Sequence, residues 1–129
     1  MKWGDLSFDF SGASVLVTGG TGGIGGGIAE AFRDAGAEVT ITGTRGSAAE
    51  YEGDLAGYRY ARLDVEDRAG IDALAAGLDR LDVLVNSAGL AMFALGLDEY
   101  DPDVFDRAVT MHLTGVHRPA ARCEPLLAQ

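Results

Sequence analysis

Lysine occurs once in this sequence, at Lys2, and cysteine once, at Cys123. Basic residues number 10 against 20 acidic ones, for a net charge of −10. A surface that acidic argues against nucleic acid or an anionic membrane face as a partner. A single cysteine excludes an internal disulfide, so a reducing compartment is the simplest context and the cytoplasm the default location. No stretch approaches the ~18 apolar residues of a membrane span. The opening Met1-Lys2-Trp3-Gly4-Asp5 has no apolar region after its lysine, and reads as neither a signal peptide nor an anchor.

What is present suits a folded core. Hydrophobic residues make up 47% of 129 residues, a length that fits a single domain over residues 1–129. Glycine occurs 19 times, well above its usual share of about 7%. The glycines cluster between Gly19 and Gly27 with no collagen-like period, which suggests backbone approaching a ligand.

Ala13 to Thr18 is a short apolar run with β-branched residues, read as a buried parallel strand. Ile24, Ile28, Ala31, Phe32 and Ala35 then recur at helical spacing, with Gly36 placed to stop the helix. Glu38 to Thr42 is the second strand, and Gly43 to Gly57 a loop with room for one helical turn. Tyr58 to Leu63 reads as a third strand, Asp67 to Leu81 as a helix and Asp82 to Asn86 as a fourth strand. After a loop, a long helix starts near Asp101 or Pro102, whose Asp101, Asp103 and Asp106 suit the positive end of its dipole. Pro119 and Pro125 fall within that helical pattern and are expected to kink or end it. This order of elements implies an α/β fold: a doubly wound parallel sheet built by right-handed crossovers.

Thr18-Gly19-Gly20-Thr21-Gly22-Gly23-Ile24-Gly25 lies at the first strand-to-helix turn. Glycine there permits a tight turn and lets backbone N–H groups approach a pyrophosphate, whose charge a helix N-terminus favours. No Gly-Lys-Ser/Thr follows, which disfavours the other common phosphate loop.

These eight residues match Thr-Gly-x-x-x-Gly-x-Gly and so resemble the short-chain dehydrogenase/reductase family, while also matching the Thr-Gly-x-x-Gly-x-x-Gly of its extended and atypical branches. Asp64-Val65 lies where that family places an aspartate that bonds the adenine amino group, a helix cap being the alternative. Asn86-Ser87-Ala88-Gly89 is similar to the family's Asn-Asn-Ala-Gly, in which the asparagine ties neighbouring strands and the Ala-Gly backbone passes the cofactor. The resemblance runs from about Phe10 to the end and implies a Rossmann-like, three-layer α/β/α sheet of order 3-2-1-4. The implied cofactor-binding residues are Gly19, Thr21, Gly22, Gly23, Ile24, Gly25, Thr44, Arg45, Asp64, Val65, Asn86, Ala88 and Gly89.

The end of the second strand bears on the dinucleotide. An acidic residue there would accept hydrogen bonds from the adenosine ribose and repel a 2′-phosphate. This chain has Gly43-Thr44-Arg45, so NADP(H) is favoured over NAD(H), although Gly22 stands where NADP-preferring relatives often carry a basic residue.

The family's catalytic serine and Tyr-x-x-x-Lys have no counterpart here, since none of the four tyrosines has a lysine four residues on. No residue of the chain is assigned a catalytic role. The family's Val-Asn-Leu-x-Gly looks aligned with Met111-His112-Leu113-Thr114-Gly115, which puts His112 at the asparagine. His112 reads equally as a titrating site residue or as a buried histidine bonded within its helix. His117 is five residues away, poor spacing for a metal, and no metal site is expected. The acidic run at residues 98–106 reads as a solvated helix start, Cys123 as unreactive, and Phe93 and Phe105 as packing residues.

The leading expectation is the cofactor-binding part of an oxidoreductase that moves hydride between NADP(H) and a small carbonyl or alcohol. A noncatalytic dinucleotide-binding or interaction module is the alternative, and a redox sensor a third. The fourth strand and last helix would leave uncovered apolar surface, which implies a homo-oligomer or a further covering segment.

Overall fold

The computed structural model describes Gly4 and residues 6–129. The reading of the N-terminal five residues therefore lies, Gly4 apart, outside the described residues. The elements are β1 (Ser14–Thr18), α1 (Gly23–Asp34), β2 (Glu38–Gly43), β3 (Arg59–Arg62), α2 (Arg68–Ala76), β4 (Val83–Asn86), α3 (Pro102–Val109) and α4 (Gly115–Leu127). The four strands form one parallel sheet in the order β3-β2-β1-β4, the Rossmann-like order expected.

Alternation along β1 builds the layers. Val15 and Val17 point to one face and pack with Ala29 and Phe32 of α1 and with Val39 and Ile41 of β2. Leu16 points to the other face, against Leu81, Leu74 and Cys123. Helices thus cover both sides, which is why β1 and β2 read as nearly continuous apolar runs. Arg118 and Arg122 of α4 both reach Asp72 of α2, at 2.8 and 2.9 Å, and lock the two helices of the second layer together.

Three elements differ from expectation. The helix read as Asp67 to Leu81 starts after Asp67, whose carboxylate accepts the Gly70 N–H at 3.1 Å, and ends at Ala76. Asp82 N–H already donates to Ser14 C=O at 2.8 Å, so the chain must turn through residues 77–81 to enter the sheet. A 3-10 turn, Met92–Leu95, interrupts the loop after β4 and closes at Gly96, whose φ is 73°. Neither Pro119 nor Pro125 ends the last helix, which runs on to Leu127. Each proline forgoes one N–H, while burial of Pro119 and Cys123 holds the helix to the sheet.

Between α3 and α4 the helix widens into a π segment, Thr110–Thr114. Phe93 and Phe105 are 69% and 61% exposed, so the expectation that they pack is wrong: Phe93 sits on the 3-10 turn and Phe105 on the outer face of α3. Val109, Leu113 and Val116 continue that exposed apolar face. None of the described helices is long and apolar enough to cross a membrane.

Candidate functional site

A cavity of about 730 Å³ opens over the carboxyl ends of the strands, within the usual range of roughly 300–1,000 Å³ for ligand sites. It gathers Gly19, Thr21, Gly22, Gly23, Ile24, Gly25, Thr44, Arg45, Asp64, Val65, Ala88 and Gly89 from four separate stretches of chain. Asn86 alone among the anticipated residues does not line it.

One end of the cavity is backbone. Gly19 has φ 67°, and a Cβ there would lie 2.7 Å from Ala88 Cα. At Gly25 a Cβ would run into the Gly19 carbonyl, so helix and strand meet without side chains between them. The first α1 hydrogen bond is Gly26 N–H to Gly22 C=O, 2.9 Å, and Gly22 offers no capping side chain. The amides of Gly23, Ile24 and Gly25 are therefore without intrahelical acceptors, as at any helix start, and suit an anion. Ile24 is 81% exposed beside them.

Two buried threonines hold this turn. Thr42 Oγ1 accepts the Gly19 N–H at 3.2 Å. Thr18 Oγ1 accepts from Ser87 N–H at 3.1 Å and Ala88 N–H at 3.2 Å, and donates to Val85 C=O at 3.5 Å. The tie between strand ends expected of Asn86 is thus made by Thr18. Asn86 pairs with Thr18 in register, but its buried Oδ1 has no hydrogen-bond partner among the described residues.

The β2 end is built from side chains. The Tyr51 hydroxyl occupies the space a Cβ at Gly43 would need. Tyr51 Oη accepts the Arg45 N–H at 3.1 Å and lies 3.3 Å from Tyr60 Oη, which donates to Arg45 C=O at 2.5 Å. With the Tyr60 proton so used, the bond between the phenols is donated by Tyr51. Burial, and then the bond to Tyr51, push the Tyr60 phenol above its ordinary range, which keeps that proton in place. The Arg45 guanidinium lies 4.7 Å from the Tyr51 ring centroid and donates through Nη1 to Glu50 C=O. Glu50 is fixed in turn by accepting the Ser47 N–H at 2.7 Å in the 3-10 turn Ala48–Glu50. Arg62 Nε donates to Thr44 C=O at 3.2 Å.

At the β3 end Asp64 Oδ1 accepts the Glu66 N–H at 2.9 Å, and Asp67 rather than Asp64 caps α2. Glu66 takes both Arg107 Nε (2.9 Å) and Nη2 (3.1 Å), closing this side of the cavity with α3. The hydrogen bond to Glu66 raises the Arg107 guanidinium further above its ordinary value.

His112 is exposed, which corrects its reading as a buried histidine bonded within its helix. Its Nε2 lies 3.0 Å from Leu90 C=O, a bond that needs the Nε2–H form. Met111 Sδ accepts the Leu90 N–H at 3.3 Å, so two adjacent residues of the π segment hold both backbone polar groups of Leu90. A Cβ at Gly89 would lie 2.8 Å from His112 Nδ1, so glycine is what admits the ring.

Sequence reasoning missed Tyr51, Leu63, Glu66, Ser87, Leu90, Leu95, Arg107 and Met111, all of which line the cavity. Glu66 and Ser87 were reachable as neighbours of anticipated residues. Tyr51 and Arg107 reach the site only through tertiary packing.

A family model described as short chain dehydrogenase matches residues 13–129. A D-threitol dehydrogenase of Mycolicibacterium smegmatis is 36% identical over 120 residues, covering 86% of this chain and 46% of that protein. A 2-dehydro-3-deoxy-L-rhamnonate dehydrogenase (NAD(+)) of Sphingomonas is 30% identical over 112 residues, 83% of this chain and 45% of the relative. Among solved structures, a Pseudomonas aeruginosa RhlG/NADP active-site complex superposes with TM-score 0.74 at 30% identity, covering 92% of this chain and 48% of that one. The chain therefore spans about half the length of the relatives it matches.

Proposed function

The chain belongs to the short chain dehydrogenase family, and from that premise we propose that it is the dinucleotide-binding part of an NADP(H)-dependent oxidoreductase acting on a small carbonyl or alcohol. The observation that carries this reading is the cavity whose phosphate end is bare backbone and whose β2 end presents Arg45 without a carboxylate. The cradle fits a dinucleotide: Gly22 and Gly23 leave open space beside the unpaired α1 amides, while Gly19 and Gly25 let strand and helix close together beneath them. A bound nicotinamide would supply or accept the hydride.

The residues of this chain bind and orient. The amides of Gly22 to Gly25 take the pyrophosphate charge, with Thr21 beside them. Asp64, with Oδ1 turned to Glu66 N–H, offers Oδ2 to the adenine amino group. Ile24 and Val65 give apolar contact, and the backbone of Ala88 and Gly89 borders the nicotinamide end. Thr44 and Arg45 receive the ribose phosphate. Asn86, which does not line the cavity, is given no part in holding the cofactor.

Titration with NADPH and NADH tests the reading. NADPH is expected to bind more tightly. Tighter NADH overturns the cofactor preference, and binding of neither overturns the site. Since one relative is a D-threitol dehydrogenase, polyhydroxy alcohols and their ketones are the first substrates to assay with the whole protein. Tight NADPH binding without turnover on any carbonyl would favour the noncatalytic module. We further place the protein in the cytoplasm as a homo-oligomer joined through the exposed Phe105–Val116 face. Sedimentation at the monomer mass would remove the oligomer.

A further inference from the structure

We propose that Tyr51 and Tyr60 are positioning residues that hold Arg45 as a ready-made seat for a phosphate monoester on the ribose of the bound dinucleotide. This rests on the NADP(H) reading above and adds the means by which an exposed arginine is kept in place.

A surface arginine ordinarily samples many rotamers, and ordering it on binding costs affinity. Arg45 is held at its backbone N–H and C=O and at Nη1 of its side chain. Its N–H goes to Tyr51 Oη at 3.1 Å, its C=O takes the Tyr60 hydroxyl at 2.5 Å, and the two phenols are joined at 3.3 Å. The hydrogen bonds thus run in a closed ring from the residue's own amide to its own carbonyl. The guanidinium rests on the Tyr51 ring at 4.7 Å, and Nη1 is taken by Glu50 C=O, which leaves other guanidinium N–H groups for a ligand. Tyr51 and Arg45 both line the cavity. The ring needs glycine at 43, since a Cβ there would collide with the Tyr51 hydroxyl. An acidic side chain at that position, the usual device for receiving an unphosphorylated ribose, is thereby incompatible with the tyrosine. Within a chain of net charge −10, residues 43–49 carry no carboxylate, and Arg62 adds a second guanidinium bonded to Thr44. The ligand class is a 2′-phosphorylated adenosine.

The test is calorimetric titration of the purified protein with adenosine 2′,5′-bisphosphate and with 5′-AMP, for the parent, Tyr51→Phe, Tyr51→Ala, Tyr60→Phe, Arg45→Ala and Arg45→Ala/Tyr51→Ala. The parent is expected to prefer the bisphosphate. Tyr51→Ala should lower that preference by about tenfold, and Tyr51→Phe, which keeps the ring, by about threefold. Affinity for 5′-AMP should hold in each, and Tyr51→Ala should add nothing once Arg45 is alanine. Folded Tyr51→Phe and Tyr60→Phe proteins with the parent's preference, or an equal loss for both ligands, would overturn the positioning role while leaving the cofactor reading intact. A parent with no preference for the bisphosphate would overturn both. If Tyr51→Ala does not fold, the two phenylalanine variants decide.

Discussion

The two ends of the cavity are made in opposite ways. The glycine-loop end is defined by side chains that are missing: Gly19 and Gly25 let backbone meet backbone, and the helix offers bare amides. The β2 end is defined by side chains that are present and mutually fastened, Arg45, Tyr51 and Tyr60. A backbone site tolerates almost no addition and little depends on any one side chain. A side-chain site tolerates conservative change, but its selectivity rests on a few groups. On the proposed reading, the first kind grips what all dinucleotides share and the second distinguishes among them.

The largest effect should follow from adding one carbon to the backbone end. Gly25→Ala pushes a Cβ into the Gly19 carbonyl and to 3.0 Å from Ser87 Oγ, and should weaken binding of NADPH and NADH alike by about a hundredfold. Gly27→Ala is the control. It lies farther along α1, outside the lining of the cavity, and no atom lies within 4 Å of the new Cβ, so affinity should stay within about threefold. Fluorescence titration of both variants checks the pair. Equal losses would mean that the stretch responds to glycine content rather than to contact.

Next comes Thr18→Val, which keeps shape but leaves Ala88 N–H without the hydroxyl it donates to at 3.2 Å. Denaturant unfolding should show a loss of about 2 kcal/mol. The β2 end should respond differently. Arg45→Ala should leave stability and NADH affinity near the parent's while reducing NADPH affinity about tenfold. If NADH falls as far as NADPH, the two ends are not separable and the comparison fails.

The same contrast governs what the sequence revealed. Periodicity marked the strands because a parallel sheet buries both faces, as Val15, Leu16 and Val17 do in turn. The glycine loop was legible because an absent side chain is visible in a sequence. The Tyr51–Tyr60 ring was not, since it joins residues whose proximity depends on β3 pairing with β2. Of the two readings of His112 the buried one fails, because the π segment that turns the ring toward Leu90 has no local signature. The end of α2 was overrun because Leu78 and Leu81 keep helical spacing while serving the cluster around Leu16 from a turn. Asn86 was given the tie that Thr18 makes, since both end strands at the same level and only the bonds separate them.

The smallest effect should come from a region that belongs to neither end. Asp72 is held by Arg118 and Arg122, whose hydrogen bonds bring its carboxyl down to about 2 from an ordinary 3.8. A carboxylate depressed in the folded state stabilises the fold above its unfolded value and loses that contribution as pH falls through the folded one. The contribution of this clamp should be fully present above about pH 4 and gone near about pH 2. Asp72→Asn should therefore be slightly less stable than the parent at neutral pH, and the two urea midpoints should converge as pH drops through that window. Cofactor affinity and the NADPH-to-NADH ratio should not move, because the clamp joins α2 to α4 away from both ends of the cavity. A changed ratio in Asp72→Asn would mean that helix packing tunes the β2 end, and the selectivity could no longer be assigned to Arg45 and its tyrosines.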